Sequence, residues 1–327
     1  MDAQESYCVA YKNHSSQAGN IGQATAFVSH AWGHEFLDVV AALEAYQSTQ
    51  SETVFFWFDI FSNNQHKTSV RDFTWWQTVF RDNIGSLKRT LLVLEWKDPK
   101  PLTRAWCLWE MVSTVNTKSH FQVLMSPKNH SSFVTALVDD FESIVLKTCN
   151  VDLRHAKAFK EDDEANIKKA VEETAGFAEV NKVIIGIMRE WMVQSGKAVL
   201  SSFPEQDRPG STLQLYLGRL LQDLGELGEA ERLCREALAV SRGTPGTPGM
   251  YAKVSNLAEV LRDQGKFEEA ESLHREALIG RQRLLGNTHS STLLSLNNLG
   301  LLLQYQGRLS EAEPYLRESY EAERLEN

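Results

Sequence analysis

Three segments near the C-terminus repeat one pattern, and that repetition constrains the fold more than any other feature of the chain. Leu217-Gly218, Leu257-Ala258 and Leu299-Gly300 each open a helical stretch with a second leucine four positions on, at Leu221, Leu261 and Leu303. Each stretch ends at a glycine: Gly225, Gly265 or Gly307. A second helical stretch then carries Ala230, Ala270 or Ala312, followed by Leu233, Leu273 or Tyr315. The register advances by 40 residues and then by 42. Small residues recur where two antiparallel helices must approach closely, and the glycine can take the left-handed conformation that closes a helix. One such hairpin cannot bury its own apolar face, so hairpins stack.

This pattern resembles the tetratricopeptide repeat. The 42-residue spacing and the segments NLAEVLRDQGKFEEAESLHREAL and LLGNTHSSTLLSLNNLGLLLQYQGRLSEAE are most similar to the kinesin-light-chain variety. That variety carries Gly-x-x-His-Pro between repeats. Gly286 and His289 fit it, Ser290 stands in place of the proline, and the earlier connection, GTPGTPG, departs from it. The resemblance implies three helical hairpins over 211–327 and a concave face that binds a protein or peptide. It carries no motor association with it, because such repeats serve many unrelated partners.

A different construction rule governs the rest of the chain. All eight tryptophans fall between Trp32 and Trp191. Ala24 to His30, Thr53 to Asp59, Thr90 to Glu95 and Phe121 to Met125 read as buried strands. Between them, Glu35 to Tyr46, Phe73 to Asn83 and Thr103 to Thr114 read as helices, the first with an apolar stripe of Phe36, Val39, Val40 and Leu43 and the last with Thr103 as its N-cap. Alternation of apolar strands with helices predicts a parallel sheet covered on both faces, an α/β fold. Domain limits follow: a polar segment over 1–23, the α/β domain over 24–128, a helical extension over 129–200, a linker over 201–210 and the repeats. In the extension, VDLRHAKAFKEDDEANIKKAVEE reads as one charged helix and EVNKVIIGIMREWM as an amphipathic one. Glu161 to Glu164 read as a solvated helix face.

Ligands of such sheets bind beyond the carboxyl ends of the strands. The polar residues there are Ser29, His30 and Trp32 after the first strand, Asp59, Asn63, Asn64, Gln65 and His66 after the second, and Arg104, Trp106 and Glu110 after the third. The order of FVSHAW, a helix, WFD, a helix, LLVLEW and TRAWCLWEMV resembles a TIR domain over residues 24 to 126. The likeness is to plant-type TIR domains, in which a Trp-Cys-Leu-x-Glu element follows the fourth strand. Here that element is Trp106, Cys107, Leu108, Trp109 and Glu110. The resemblance implies a flavodoxin-like sheet, NAD+ as substrate rather than cofactor, and Glu110 as the catalytic glutamate of an NAD+ nucleosidase yielding ADP-ribose or a cyclic form. It also implies self-association through this domain. Two features depart from the pattern: SHAW replaces the usual Ser-Phe or Ser-Tyr, and FSNNQH lacks the usual Arg and Gly of the assembly loop.

The chemistry asked of such a site is modest. Nicotinamide is a positively charged leaving group, and a carboxylate beside the ribose can stabilise the oxocarbenium-like transition state. Glu110 would do this, Trp32, Trp106 or Trp109 would stack on a ring, and Asp59, Asn64 or Gln65 would bind hydroxyls. The plain alternative is an exposed helical carboxylate at Glu110 and core packing for the tryptophans, Trp57, Trp75 and Trp76 above all. A Cys107–His30 hydrolytic pair is a further reading, although a thiol packed between apolar side chains is not activated. His30, His34 and His66 match no standard metal spacing, so no metal is expected. No Rossmann or P-loop glycine motif occurs. A net charge of −9 with no basic stripe argues against nucleic acid. No apolar run is long enough to span a bilayer, which places the chain in the cytoplasm with no membrane partner. The four cysteines are far apart and read as reduced thiols. Three functional readings follow: an NAD+-cleaving signalling enzyme, a non-catalytic TIR-type scaffold, and a kinesin-light-chain-like adaptor.

Overall fold

The computed structural model describes Cys8 and residues 20–62, 73–204, 212–243 and 246–326. The candidate residues Asn63, Asn64, Gln65 and His66, most of the polar N-terminal segment and most of the expected linker lie outside the described residues. The chain divides into two compact units, 1–192 and 193–327.

The first unit contains a four-stranded sheet. Its strands are β1 (Ala26–Ser29), β2 (Phe56–Trp57), β3 (Arg89–Val93) and β4 (His120–Leu124), in the order β2-β1-β3-β4. Every pairing is parallel, with Phe27 opposite Trp57, Val28 opposite Leu91 and Arg89 opposite His120. The expected parallel sheet is present. The second strand is shorter than expected, because the chain turns into a short helix, α2 (Asp59–Ser62), directly after Phe58.

Alternation along β1 supplies both faces. Ala26 and Val28 pack with Leu91, Val93 and Leu124 against Val39, Ala42 and Tyr46 of α1 (Phe36–Ser48). Phe27 points the other way, onto Phe80 and Ile84 of α3 (Phe73–Leu87), with Trp57 stacked on it at 4.8 Å. Trp57 packs against this core but is only partly buried. The edge strand β4 is half exposed, unlike the fully buried strand its sequence suggested.

The helix after β3 is α4 (Ala105–Asn116). Thr103 does not cap it. That residue belongs to a 3-10 turn, Lys100–Thr103, and its hydroxyl donates to the Lys100 carbonyl at 2.8 Å. Arg104 holds the cap position in extended conformation and pairs with Lys157, whose carbonyl accepts from the Ala105 N–H at 2.9 Å. The extension continues with α5 (Pro127–Asp139), α6 (Phe141–Thr148), α7 (Glu161–Glu173) and α8 (Gly176–Ser202). The single charged helix expected from Val151 onward is instead a 3-10 turn, Leu153–His155, an extended strap, and then α7. Asp152 explains the break: its carboxylate accepts from the Arg154 N–H and is gripped by the Arg154 guanidinium and Asn181, which favours a turn over a helix interior.

The second unit holds three hairpins: α9 (Thr212–Asp223) with α10 (Leu227–Ser241), α11 (Pro248–Asp263) with α12 (Phe267–Leu285), and α13 (Ser290–Tyr305) with α14 (Leu309–Glu326). Gly265 closes α11 at φ 77°. Its N–H donates to the Arg262 carbonyl, and the Lys266 N–H reaches back to Leu261 at 2.9 Å, a Schellman closure that Gly225 and Gly307 repeat. At Gly218 a Cβ would lie 2.9 Å from the Cys234 sulfur, so the helices approach as the small residues predicted. The Gly286-x-x-His289 element also has a physical role: His289 Nδ1 accepts from the Ser291 N–H at 3.1 Å and starts α13. The end of α8 joins this unit as well, with Lys197 paired to Glu229 at 2.6 Å.

Candidate functional site

Beyond the carboxyl ends of β1 and β2, the first unit opens a cleft of about 180 Å³. Val28, Trp57 and Phe80 floor it, and His30, Trp32, Asp59, Arg104, Trp106, Cys107 and Glu110 line its sides. Of the eleven polar strand-end residues the sequence pointed to, six therefore meet at one cleft, and Ser29 joins them through Glu110. The other four, Asn63, Asn64, Gln65 and His66, lie outside the described residues.

Glu110 is 7% exposed, so it is not the exposed helical carboxylate that the sequence alone allowed. The Ser29 hydroxyl, at the end of β1, donates to its Oε2 at 2.5 Å. Burial pushes the Glu110 carboxyl up to about 8 against the pull of the Ser29 hydrogen bond, and the nearby charge of Asp59 adds to the rise. At neutral pH the free site therefore holds Glu110 mostly protonated.

Asp59, at the start of α2, accepts from the Trp32 indole N–H at 3.2 Å and lies 3.9 Å from His30 Nδ1. Burial drives the His30 pKa down despite that carboxylate, which leaves a neutral imidazole. His30 Nε2 is buried with no hydrogen-bond partner. Cys107 donates its S–H to the His30 backbone carbonyl at 3.3 Å rather than to the imidazole. Burial and the Glu110 charge raise its pKa well above that of a free thiol, so no activated Cys–His pair exists here. Among the described residues no cluster of three or more His, Cys, Asp or Glu is placed to hold a metal ion.

Trp106 lines the cleft between Phe73 and Phe80, and its N–H donates to Asp163 at 3.3 Å. That partner was not singled out from the sequence. Phe159, Lys160 and Asp163, from the strap and the first turn of α7, complete the cleft. The charge run over Glu161 to Glu164 is therefore only partly a solvated face. A phenylalanine inside KAFKEDD was the available signal, since an aromatic within a charged run is either buried or used.

In the second unit, the first helices of successive hairpins share one face. Gln222 of α9 donates to Asp263 of α11 at 2.5 Å. Arg262 and Asp263 of α11 face Leu301, Gln304 and Tyr305 of α13 across an open groove of about 650 Å³. Tyr305 is 74% exposed, and Leu301 is exposed beside it.

Comparison with known proteins identifies the repeats. A tetratricopeptide-repeat family profile matches residues 250–324, and a second one matches 212–244. No curated protein matches the chain. Among solved structures, the Q17M form of a candidate kinesin light chain from Podosopora anserina, with nearly identical TPR-like repeats, is 19% identical. It covers 60% of this chain and 87% of its own, with a TM-score of 0.36. BtubC (BKLC) from P. vanneervenii is 18% identical over 59% of this chain and 70% of its own, at 0.35. Among the described residues no helix is long and apolar enough to cross a membrane.

Proposed function

We propose that this protein is a partner-binding scaffold whose tetratricopeptide array holds a peptide or a protein segment along the face lined by α9, α11 and α13. The groove between α11 and α13 carries this reading. It exposes Leu301 and Tyr305 beside a charged pair, Arg262 and Asp263, and so offers an apolar anchor with polar edges. The repeat family supports it, since such arrays bind proteins or peptides. The test is display selection of peptides on the full chain. Selected sequences should lose binding to Tyr305→Glu and keep it to Phe159→Ala; peptides indifferent to Tyr305→Glu would place recognition elsewhere.

A second reading is favoured by one observation, the buried Glu110 at the head of an aromatic cleft: the first unit binds NAD+ and cleaves it. The TIR resemblance and the 2-1-3-4 strand order, which matches the start of the flavodoxin-like 2-1-3-4-5 order, support it. The nicotinamide–ribose C1′–N bond would break, the electron pair would leave with neutral nicotinamide, and water would add to C1′ and give up a proton to solvent. Glu110 must be ionised to stabilise the developing positive charge. A cationic nicotinamide beside it would draw its pKa back down, so NAD+ binding near neutral pH releases a proton. Purified protein and Glu110→Ala are incubated with NAD+ and nicotinamide release is followed. Release by the wild type alone supports cleavage; no release, or equal release by both, removes Glu110 from that role. Self-association through this unit and a cytoplasmic setting belong to the same proposal.

A further inference from the structure

The strap between Lys157 and Asp163 lies outside the α/β core that the TIR resemblance covers, yet it supplies part of the cleft wall. It is anchored at both ends. Lys157 exchanges backbone hydrogen bonds of 2.9 Å with Ala105 and Thr103, and Ala158 N–H donates to Glu164 at 3.3 Å. Asp163 holds the Trp106 indole at the other end. Between these anchors, Phe159 is 80% exposed. Leaving a phenylalanine in water forgoes the favourable burial of its ring, which a purely structural strap would recover by turning the ring inward. Its ring instead faces Trp32, itself 59% exposed, with centroids 6.3 Å apart and planes tilted by 35°. A third ring stacked between two others needs roughly 7–8 Å, so a small turn of the exposed Phe159 opens the wedge.

The cleft is lined by charges of both signs. Glu110 is buried, Asp59 and Arg104 are partly exposed, and Lys160 is exposed. Asp59 and Asp163 each accept an indole N–H, whereas no described carboxylate pairs with Arg104 or Lys160. Elsewhere in the chain most arginines are engaged with carboxylates, as in Arg235 with Glu269 and Arg308 with Glu271.

We propose that the strap forms a second subsite of the cleft, in which Phe159 and Trp32 clamp a planar base and Lys160 with Arg104 takes the phosphate groups of the same ligand, a nucleoside diphosphate or dinucleotide. The proposal rests on reading the cleft as a nucleotide site and extends it to the half of the ligand that does not react. The cleft's volume, below the roughly 300 Å³ at which drug-sized pockets begin, agrees with a ligand that leaves one end at the mouth.

The test is calorimetric titration of the full chain with ADP-ribose and with adenosine, on wild type, Phe159→Ala and Lys160→Glu. Both substitutions are at exposed positions, and unchanged tryptophan emission and unfolding midpoint confirm the fold. Phe159→Ala should weaken both ligands about tenfold, the scale of one lost base–aromatic stack. Lys160→Glu should weaken ADP-ribose and leave adenosine unchanged. Equal ADP-ribose affinity in all three proteins, or no binding to the wild type at millimolar ligand, overturns the subsite. The two ideas fail separately. Nicotinamide release with an unchanged KM in both variants removes the subsite and keeps cleavage. The expected binding pattern with no nicotinamide release keeps the subsite and removes cleavage.

Discussion

At the scale of single residues, Glu110 concentrates the tension in this molecule. Its carboxyl is buried with one hydroxyl partner, and burial raises its pKa to about 8 from a usual value near 4.5. The sign of the consequence is fixed by linkage. Below pH 4.5 the group is protonated in both the folded and unfolded states and costs nothing. As pH rises toward 8, the unfolded chain loses the proton while the folded chain keeps it, so stability falls, and above 8 the loss is complete. The full effect is on the order of 5 kcal/mol. All eight tryptophans lie within residues 32 to 191, so tryptophan emission during urea unfolding reports the first unit alone. We expect its midpoint to fall with pH more steeply in the wild type than in Glu110→Gln, which keeps a partner for Ser29; the lowered His30 and His34 pKa values contribute an opposite slope below about pH 6.5 in both proteins. An equal slope in both would mean that Glu110 is not the group being desolvated. The sequence pointed to Glu110, Ser29 and Asp59 because strand ends and the Trp-Cys-Leu-x-Glu spacing bring them to one edge of the sheet. It did not point to Phe159, Lys160 and Asp163, which reach the cleft only because Arg104 and Lys157 pair across 53 positions of chain.

Among elements, two differences from the sequence reading share one cause. Thr103 as a cap and Val151 onward as a helix were local inferences, and long-range partners decided both: Lys157 satisfies the first turn of α4, and Asn181 holds Asp152 in a turn. β2 shrank because Asp59 starts a helical turn. The repeat helices were legible to within a few residues, since their determinants are local: a stripe of leucines, a closing glycine, a small residue at each crossing. Those closures give a paired prediction. Gly265 has a φ of 77°, where a side chain is strained, while Gly228 lies exposed in α10 with nothing near its missing Cβ. Gly265→Ala should cost about 1–2 kcal/mol and Gly228→Ala should add about 0.5–1 kcal/mol, read from the loss of helical circular dichroism. Costs of similar size and sign at both positions would contradict the helix closure described here.

Over the whole molecule, two building rules meet in one chain, and each leaves its own concave surface open, a cleft in the first unit and a groove in the second. The α/β unit folds around long-range strand pairing, and its cleft is assembled from segments far apart in sequence. The array is built from nearest-neighbour packing. Leu299 and Leu303 of α13 bury against Leu278 of α12 and Ala312 of α14, so stacking comes from apolar burial. Ion pairs between hairpins, such as Lys266 with Glu231, are half exposed and worth at most about 1 kcal/mol each. A stack of hairpins with an open groove along one face suits an extended partner. The decisive measurement is calorimetric titration of a display-selected peptide into the wild type and the Leu301→Glu and Tyr305→Glu variants of the whole chain. We expect saturable binding to the wild type and a loss of at least about tenfold in each variant, as for a centrally placed apolar anchor. Undiminished binding to both variants would contradict recognition in this groove.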